Sequence, residues 1–124
     1  MAKVYVTWEQ VEEFVNNLGK NVGECFTGVY GLPRGGLVMA VMISHKYHIP
    51  MLMSPTSGCL IVDDICDTGE SLLHYVKNSS GDKVQDYMIA TLYYKENKLG
   101  VKPNFYSHLK GEDWIVFPWE MEEQ

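Results

Sequence analysis

An α/β domain with a mostly parallel sheet flanked by helices is predicted by three features of this sequence. Short apolar runs alternate with stretches of helical period. Each run ends abruptly in a polar loop. The two loops with the densest chemistry, after Leu32 and after Val62, follow such runs, and in parallel sheets ligands sit beyond the carboxyl ends of the strands. The 124 residues show no internal repeat or low-complexity linker, so one domain is expected over 1–124.

The elements follow in order. Thr7-Trp8-Glu9-Gln10 has the spacing of a capping box, and Trp8, Val11, Phe14, Val15 and Leu18 then recur at helical period until Gly19 stops the helix. Phe26 to Leu32 reads as a short buried strand, Leu37 to Lys46 as a helix and Ile49 to Met53 as a strand. Ser54 to Gly58 is a turn. Cys59-Leu60-Ile61-Val62 is an apolar strand ending in Asp63-Asp64. Ser71 to Lys77 reads as a helix that starts near Gly69. Tyr87 to Tyr94 is the longest strand candidate, and Phe105 to Leu109 is another.

Composition excludes several classes. Apolar residues make up 46% and charged residues 21%, which suits a folded globule rather than a disordered chain. No apolar run approaches the roughly 20 residues of a membrane span, and the start turns polar too soon for a signal peptide. Ten Lys and Arg against sixteen Asp and Glu leave a net charge of −6, so nucleic acid is not an expected partner. An anionic ligand must meet a local positive site, a helix end or a metal. Cys25, Cys59 and Cys66 form no CxxC pair, as expected of free thiols in a cytoplasmic protein.

The segment Ile61-Val62-Asp63-Asp64-Ile65-Cys66-Asp67-Thr68-Gly69-Glu70-Ser71 carries the strongest chemistry. A buried strand delivers two adjacent carboxylates to the sheet edge, where their repulsion calls for a metal or a hydroxyl-rich partner. Gly69 lets backbone amides turn inward. With the helix start and the Thr68 and Ser71 hydroxyls they make a phosphate cradle. Carboxylates beside such a cradle suggest a sugar phosphate. The plainer alternative is a helix capped by Asp67 or Thr68, with solvated acids. In Gly31-Leu32-Pro33-Arg34-Gly35-Gly36, Arg34 offers a donor fork for phosphate oxygens, and Gly35 and Gly36 admit an anion close to the backbone.

The acidic string resembles the ribose-phosphate signature of the type I phosphoribosyltransferases. That resemblance implies binding of phosphoribosyl pyrophosphate: Asp63 and Asp64 on the ribose hydroxyls, Asp64 on Mg²⁺, and Asp67, Thr68, Gly69, Glu70 and Ser71 around the 5′-phosphate. Arg34 and Gly35 match the pyrophosphate loop, where the resemblance implies a cis Pro33–Arg34 bond. From Ala90 to Lys95, at Trp114-Ile115 and at Pro118-Trp119-Glu120, the chain is similar to the bacterial xanthine-guanine phosphoribosyltransferases. The match implies that Lys95 meets the purine 6-oxo group, that Trp114 stacks on the ring, that the Ile115 backbone meets the 2-substituent, and that Asp67 is the catalytic group facing N7. The implied activity moves a phosphoribosyl group onto a 6-oxopurine (guanine, xanthine or hypoxanthine) with release of pyrophosphate. The family also implies a homo-oligomer, dimer or tetramer.

One departure stands out. The family carries a long flexible hairpin before the signature strand, and here only Ser54 to Gly58 separate Met53 from Cys59. Lids exclude water from reactive centres. Its loss leaves open a second function, a non-catalytic regulatory domain that binds phosphoribosyl pyrophosphate or a nucleotide. A phosphoacceptor receiver domain ranks lower, because it predicts an acid pair after the first strand. His45 and His48 are expected at a polar helix end, Cys66 as an ordinary thiol, Met39, Met42, Met51, Met53 and Met88 in the core, and Glu120, Glu122 and Glu123 as a solvated tail.

Overall fold

The computed structural model describes residues 2–19, 22–77 and 87–120. Its elements are β1 (Lys3–Tyr5), α1 (Trp8–Asn17), α2 (Val22–Cys25), β2 (Val29–Gly31), α3 (Leu37–Tyr47), β3 (Leu60–Cys66), α4 (Glu70–Lys77), β4 (Met88–Tyr94), β5 (Phe105–Leu109) and β6 (Trp114–Val116). A four-stranded parallel sheet runs in the order β2-β3-β4-β5, and β1 and β6 form a second, two-stranded parallel sheet. No described helix is long and apolar enough to cross a membrane.

Parallel strands need crossovers, and α3 and α4 supply those from β2 to β3 and from β3 to β4. Strands covered on both faces read as continuous apolar runs, which is why Leu60-Ile61-Val62 shows no polar alternation. Leu60 and Val62 pack with Val11, Phe14, Met39 and Ile43 of α1 and α3. Ile61 points to the other face, with Leu72 of α4, Tyr87 and Ile89. The α1 capping box forms as expected: the Gln10 amide donates to Thr7 Oγ1 at 3.2 Å, and the Thr7 amide donates to Gln10 Oε1 at 2.8 Å.

Several expectations need correction. The strand expected over Phe26 to Leu32 contracts to Val29–Gly31. The strand expected over Ile49 to Met53 is a single bridge from Met51 to Val29. Pro50 has no amide to give, so the edge is joined by the Val29 amide to the Pro50 carbonyl and the Leu52 amide to the Val29 carbonyl, both 2.9 Å. Helix α2 and the sheet of β1 and β6 were not predicted. Met39 is buried and Met42 is partly buried, but Met51, Met53 and Met88 are exposed on the rim rather than in the core. His48 is the αL cap of α3, with φ 57°, so it does not share a helix face with His45.

No hairpin lies between Met53 and Cys59. The short turn there is tied down instead: the Cys59 amide reaches the Thr56 carbonyl and the Thr27 amide reaches the Gly58 carbonyl, each at 3.1 Å.

Candidate functional site

Strand β3 runs on through Asp63 and Asp64, its fourth and fifth residues, to Cys66, and Asp63 is in register with Thr91 of β4. The Asp64 amide donates to Asp63 Oδ1, and the Ile65 amide donates to Asp64 Oδ1, each at 2.8 Å. These local bonds fix both carboxyl groups. Burial, and then the charge of Asp64 beside it, push the Asp63 carboxyl up to about 8.

The loop after β2 folds directly onto this doublet. The Leu32 amide bonds the Val62 carbonyl at 2.9 Å, and the Pro33–Arg34 peptide is cis, as the resemblance implied. Gly35 lies so close to Asp64 that a Cβ there would overlap the carboxylate. A cleft of about 490 Å³ opens at this contact. Among the described residues its wall is Arg34, Gly35, Asp64, Trp119 and Glu120. Arg34 brings a guanidinium to a site whose other charged walls are acids, and that pairing suits an anion held together with a cation.

The turn from Asp67 to Gly69 joins β3 to α4. Gly69 takes φ +82°, a conformation that side chains rarely adopt. The Glu70 amide donates to Thr68 Oγ1 at 3.3 Å, and the Leu73 amide to the Gly69 carbonyl at 3.0 Å. One amide of the expected cradle is therefore engaged by the turn's own hydroxyl. Thr68, Glu70 and Ser71 are exposed. These residues, with Asp63, Asp67, Lys95, Trp114 and Ile115, lie outside the wall of the cleft.

The residues expected at a base come from the next strands. Lys95 follows β4, and its Nζ lies 3.5 Å from Glu112 Oε1, an exposed pair. Trp114 begins β6 and is 63% exposed, so it is not a core aromatic. Ile115 is buried in the main core. The Trp114 amide bonds Ala2, and the Val116 carbonyl accepts from Val6. Backbone groups alternate sides along a strand, so the Ile115 amide and carbonyl face away from β1.

Three residues of this region escaped the sequence reading. Trp119 and Glu120 belong to the cleft wall; Glu120 is exposed, as expected, and Glu122 and Glu123 lie outside the described residues. Glu120 Oε1 accepts the Phe117 amide at 2.8 Å, and Trp119 stacks on Phe117 at 5.1 Å, so the turn after β6 holds the indole in place. The Pro118-Trp119-Glu120 string was the available signal. Lys110 is the third: its Nζ stands 3.6 Å from Asp67 Oδ2. Cys66 behaves as expected, with burial, Asp63 and Asp67 raising its thiol to about 11.

Among the described residues no three His, Cys, Asp or Glu side chains converge as a metal cluster. Mg²⁺ commonly takes only one or two carboxylates and fills its shell with substrate phosphates and water. The Asp63–Asp64 doublet offers hard oxygen donors, and a cation would relieve the repulsion that raises Asp63, so these residues fit that ion.

Comparison with known proteins agrees with this geometry. Residues 33–124 match the phosphoribosyl transferase domain family. A xanthine-guanine phosphoribosyltransferase of Idiomarina loihiensis is 23% identical, over 94% of this chain and 86% of that protein. One from Nitratidesulfovibrio vulgaris is 27% identical, over 96% and 85%. Both alignments run over 144 positions, more than this whole chain, so the relatives carry residues inside the matched span that are missing here. The crystal structure of a purine phosphoribosyltransferase from Pyrococcus horikoshii superposes with a TM-score of 0.83 at 29% identity, covering 100% of this chain and 98% of that one. With a family model matched over most of its length and the parallel sheet of its structural neighbours, the chain belongs to the phosphoribosyltransferase family of glycosyltransferases.

Proposed function

We propose that this chain transfers the 5-phosphoribosyl group of phosphoribosyl pyrophosphate to N9 of a 6-oxopurine and releases pyrophosphate. The observation that carries the reading is the seating of the Arg34–Gly35 loop on Asp64 at one cleft, with a hydroxyl-bearing turn opening a helix three residues further on. Guanine, xanthine and hypoxanthine share the 6-oxo group that Lys95 would meet.

Each residue has a part in the proposed reaction. Thr68, Gly69, Glu70 and Ser71 hold the 5′-phosphate at the helix start. Asp63 and Asp64 accept the ribose hydroxyls and lie where positive charge develops on the sugar. Arg34 and the Gly35 backbone bind the pyrophosphate. Asp64 would hold Mg²⁺, which when bound offsets the charge of the departing pyrophosphate. Trp114 and the outward-facing Ile115 backbone orient the base. As the N9 electron pair forms the bond to C1′, the C1′–O bond to pyrophosphate breaks and its electrons leave with pyrophosphate. The N7–H proton passes to the Asp67 carboxylate, and its bonding pair stays in the ring.

A second reading is favoured by one observation, the short tethered turn from Ser54 to Gly58 where a lid would stand. In that reading the same residues bind phosphoribosyl pyrophosphate or a nucleotide without turnover. Incubation with phosphoribosyl pyrophosphate, Mg²⁺ and each of the three bases, followed by separation of nucleotide from base, decides between them. Nucleotide formed with at least one base supports the transferase; ligand bound without product supports the regulatory domain.

A further inference from the structure

The carboxyl edge of the main sheet carries a rank of charge. Cys66 of β3 is in register with Tyr94 of β4, and Tyr94 with Leu109 of β5. The residues that follow these three are Asp67, Lys95 and Lys110. The ladder continues into them, because the Lys95 amide bonds the Cys66 carbonyl at 2.8 Å and the Lys110 amide bonds the Tyr94 carbonyl at 2.7 Å. One acid and two ammonium groups therefore stand side by side across three strands.

The two lysines differ in what they can do. Lys95 is 39% exposed and faces Glu112, itself 86% exposed. Such solvated pairs are weak, so the Lys95 ammonium is available to a ligand. Lys110 is only 15% exposed, and its ammonium reaches past β4 to Asp67. The strands β3 and β5 are two spacings apart, about 10 Å. The long stem is thus laid across the sheet edge, and its head is held by Asp67 Oδ2 at 3.6 Å and the Gly111 carbonyl at 3.2 Å.

We propose that Lys110 is a positioning residue that fixes the Asp67 carboxylate for its work at the base while Lys95 stays free to bind the ring oxygen. The inference rests on the transferase reading above. It assigns to β5, the edge strand, a share in the site that neither the acidic signature nor the Lys95–Trp114 motif contains. In this proposal the ammonium orients the carboxylate through Oδ2, and Oδ1 takes the N7 proton. Lys110 touches no reacting atom and acts through Asp67.

A double-mutant cycle tests this. Steady-state turnover is measured for the wild type, Lys110→Met, Lys110→Arg, Asp67→Asn and the Lys110→Met/Asp67→Asn pair, with thermal melts as a check on folding. Lys110→Met is expected to lower kcat about ten-fold, since small misplacements of reacting groups carry such costs, with the KM for phosphoribosyl pyrophosphate held within about two-fold. Lys110→Arg is expected to restore most of the loss. In the Asp67→Asn background, Lys110→Met is expected to change kcat less than about two-fold. An equal loss in both backgrounds, or no loss in either, overturns the proposal. Should Asp67→Asn leave too little turnover to read, the arginine variant decides: recovery supports the proposal and a loss equal to that of Lys110→Met overturns it. If Lys110→Met fails to fold, Lys110→Gln takes its place, and failure of both assigns Lys110 a structural role instead. A wild type that makes no nucleotide overturns the transferase reading, and this inference falls with it, whereas a working wild type with an indifferent Lys110 overturns the inference alone.

Discussion

Replacing Asp63 by Asn should make the ligand-free protein more stable in mild alkali and less sensitive to pH. Burial and the neighbouring Asp64 raise the folded-state value of Asp63 from 3.8 to about 8. Between those two values the folded chain binds a proton that the unfolded chain has released. The contribution of Asp63 to stability is then greatest below about pH 4, declines as pH rises toward about 8, and levels off above it. Each pH unit across that window is worth about 1.4 kcal/mol, which sets a ceiling of about 6 kcal/mol for the loss. Asp63 keeps part of its surface open to water, so a measured loss of about 2–4 kcal/mol is the expectation. Asparagine keeps an oxygen for the Asp64 amide, now 2.8 Å from Asp63 Oδ1, and removes the charge. Urea unfolding at half-unit steps from pH 5 to 9, in a chelator, gives both curves. A steep wild-type decline with a flattened Asp63→Asn curve is expected. Parallel curves would refute the reasoning, because they would mean that Asp63 titrates alike in the folded and unfolded chains.

Two further substitutions separate the parts of the site. Gly35→Ala places a methyl group against the Asp64 carboxylate, so pyrophosphate affinity measured by calorimetry in Mg²⁺ should fall about ten-fold or more; unchanged affinity would detach that loop from the doublet. Trp114→Ala removes an exposed indole, so unfolding free energy should change by less than about 0.5 kcal/mol while the KM for the base rises about ten-fold and that for phosphoribosyl pyrophosphate holds. Equal rises in both KM values would show that Trp114 does not act on the base alone.

Much of this arrangement is legible in the sequence, because it is local. The Thr7–Gln10 box, the buried run into Asp63-Asp64 and the Gly69 turn are contiguous strings whose chemistry is settled within a few residues. The same holds for Arg34 and Gly35. What stayed hidden depends on contacts far apart in sequence. Lys3–Tyr5 and Trp114–Val116 are three-residue strands with no period to read, and each becomes a strand only by pairing with the other. Ile49 to Met53 has strand-like composition, but the missing Pro50 amide and the turn beyond Met53 leave one bridge. Lys110 gains its meaning from the register of three strands. Trp119 and Glu120 gain theirs from a turn that brings the chain back to the Arg34 loop.

The most direct measurement is a calorimetric titration of the wild type and Asp64→Asn with phosphoribosyl pyrophosphate in Mg²⁺. The account predicts saturable binding at one site per chain, weakened about ten-fold or more when the Asp64 carboxylate is lost. A wild type that takes up no phosphoribosyl pyrophosphate, or an Asp64→Asn variant that binds it equally well, would contradict it.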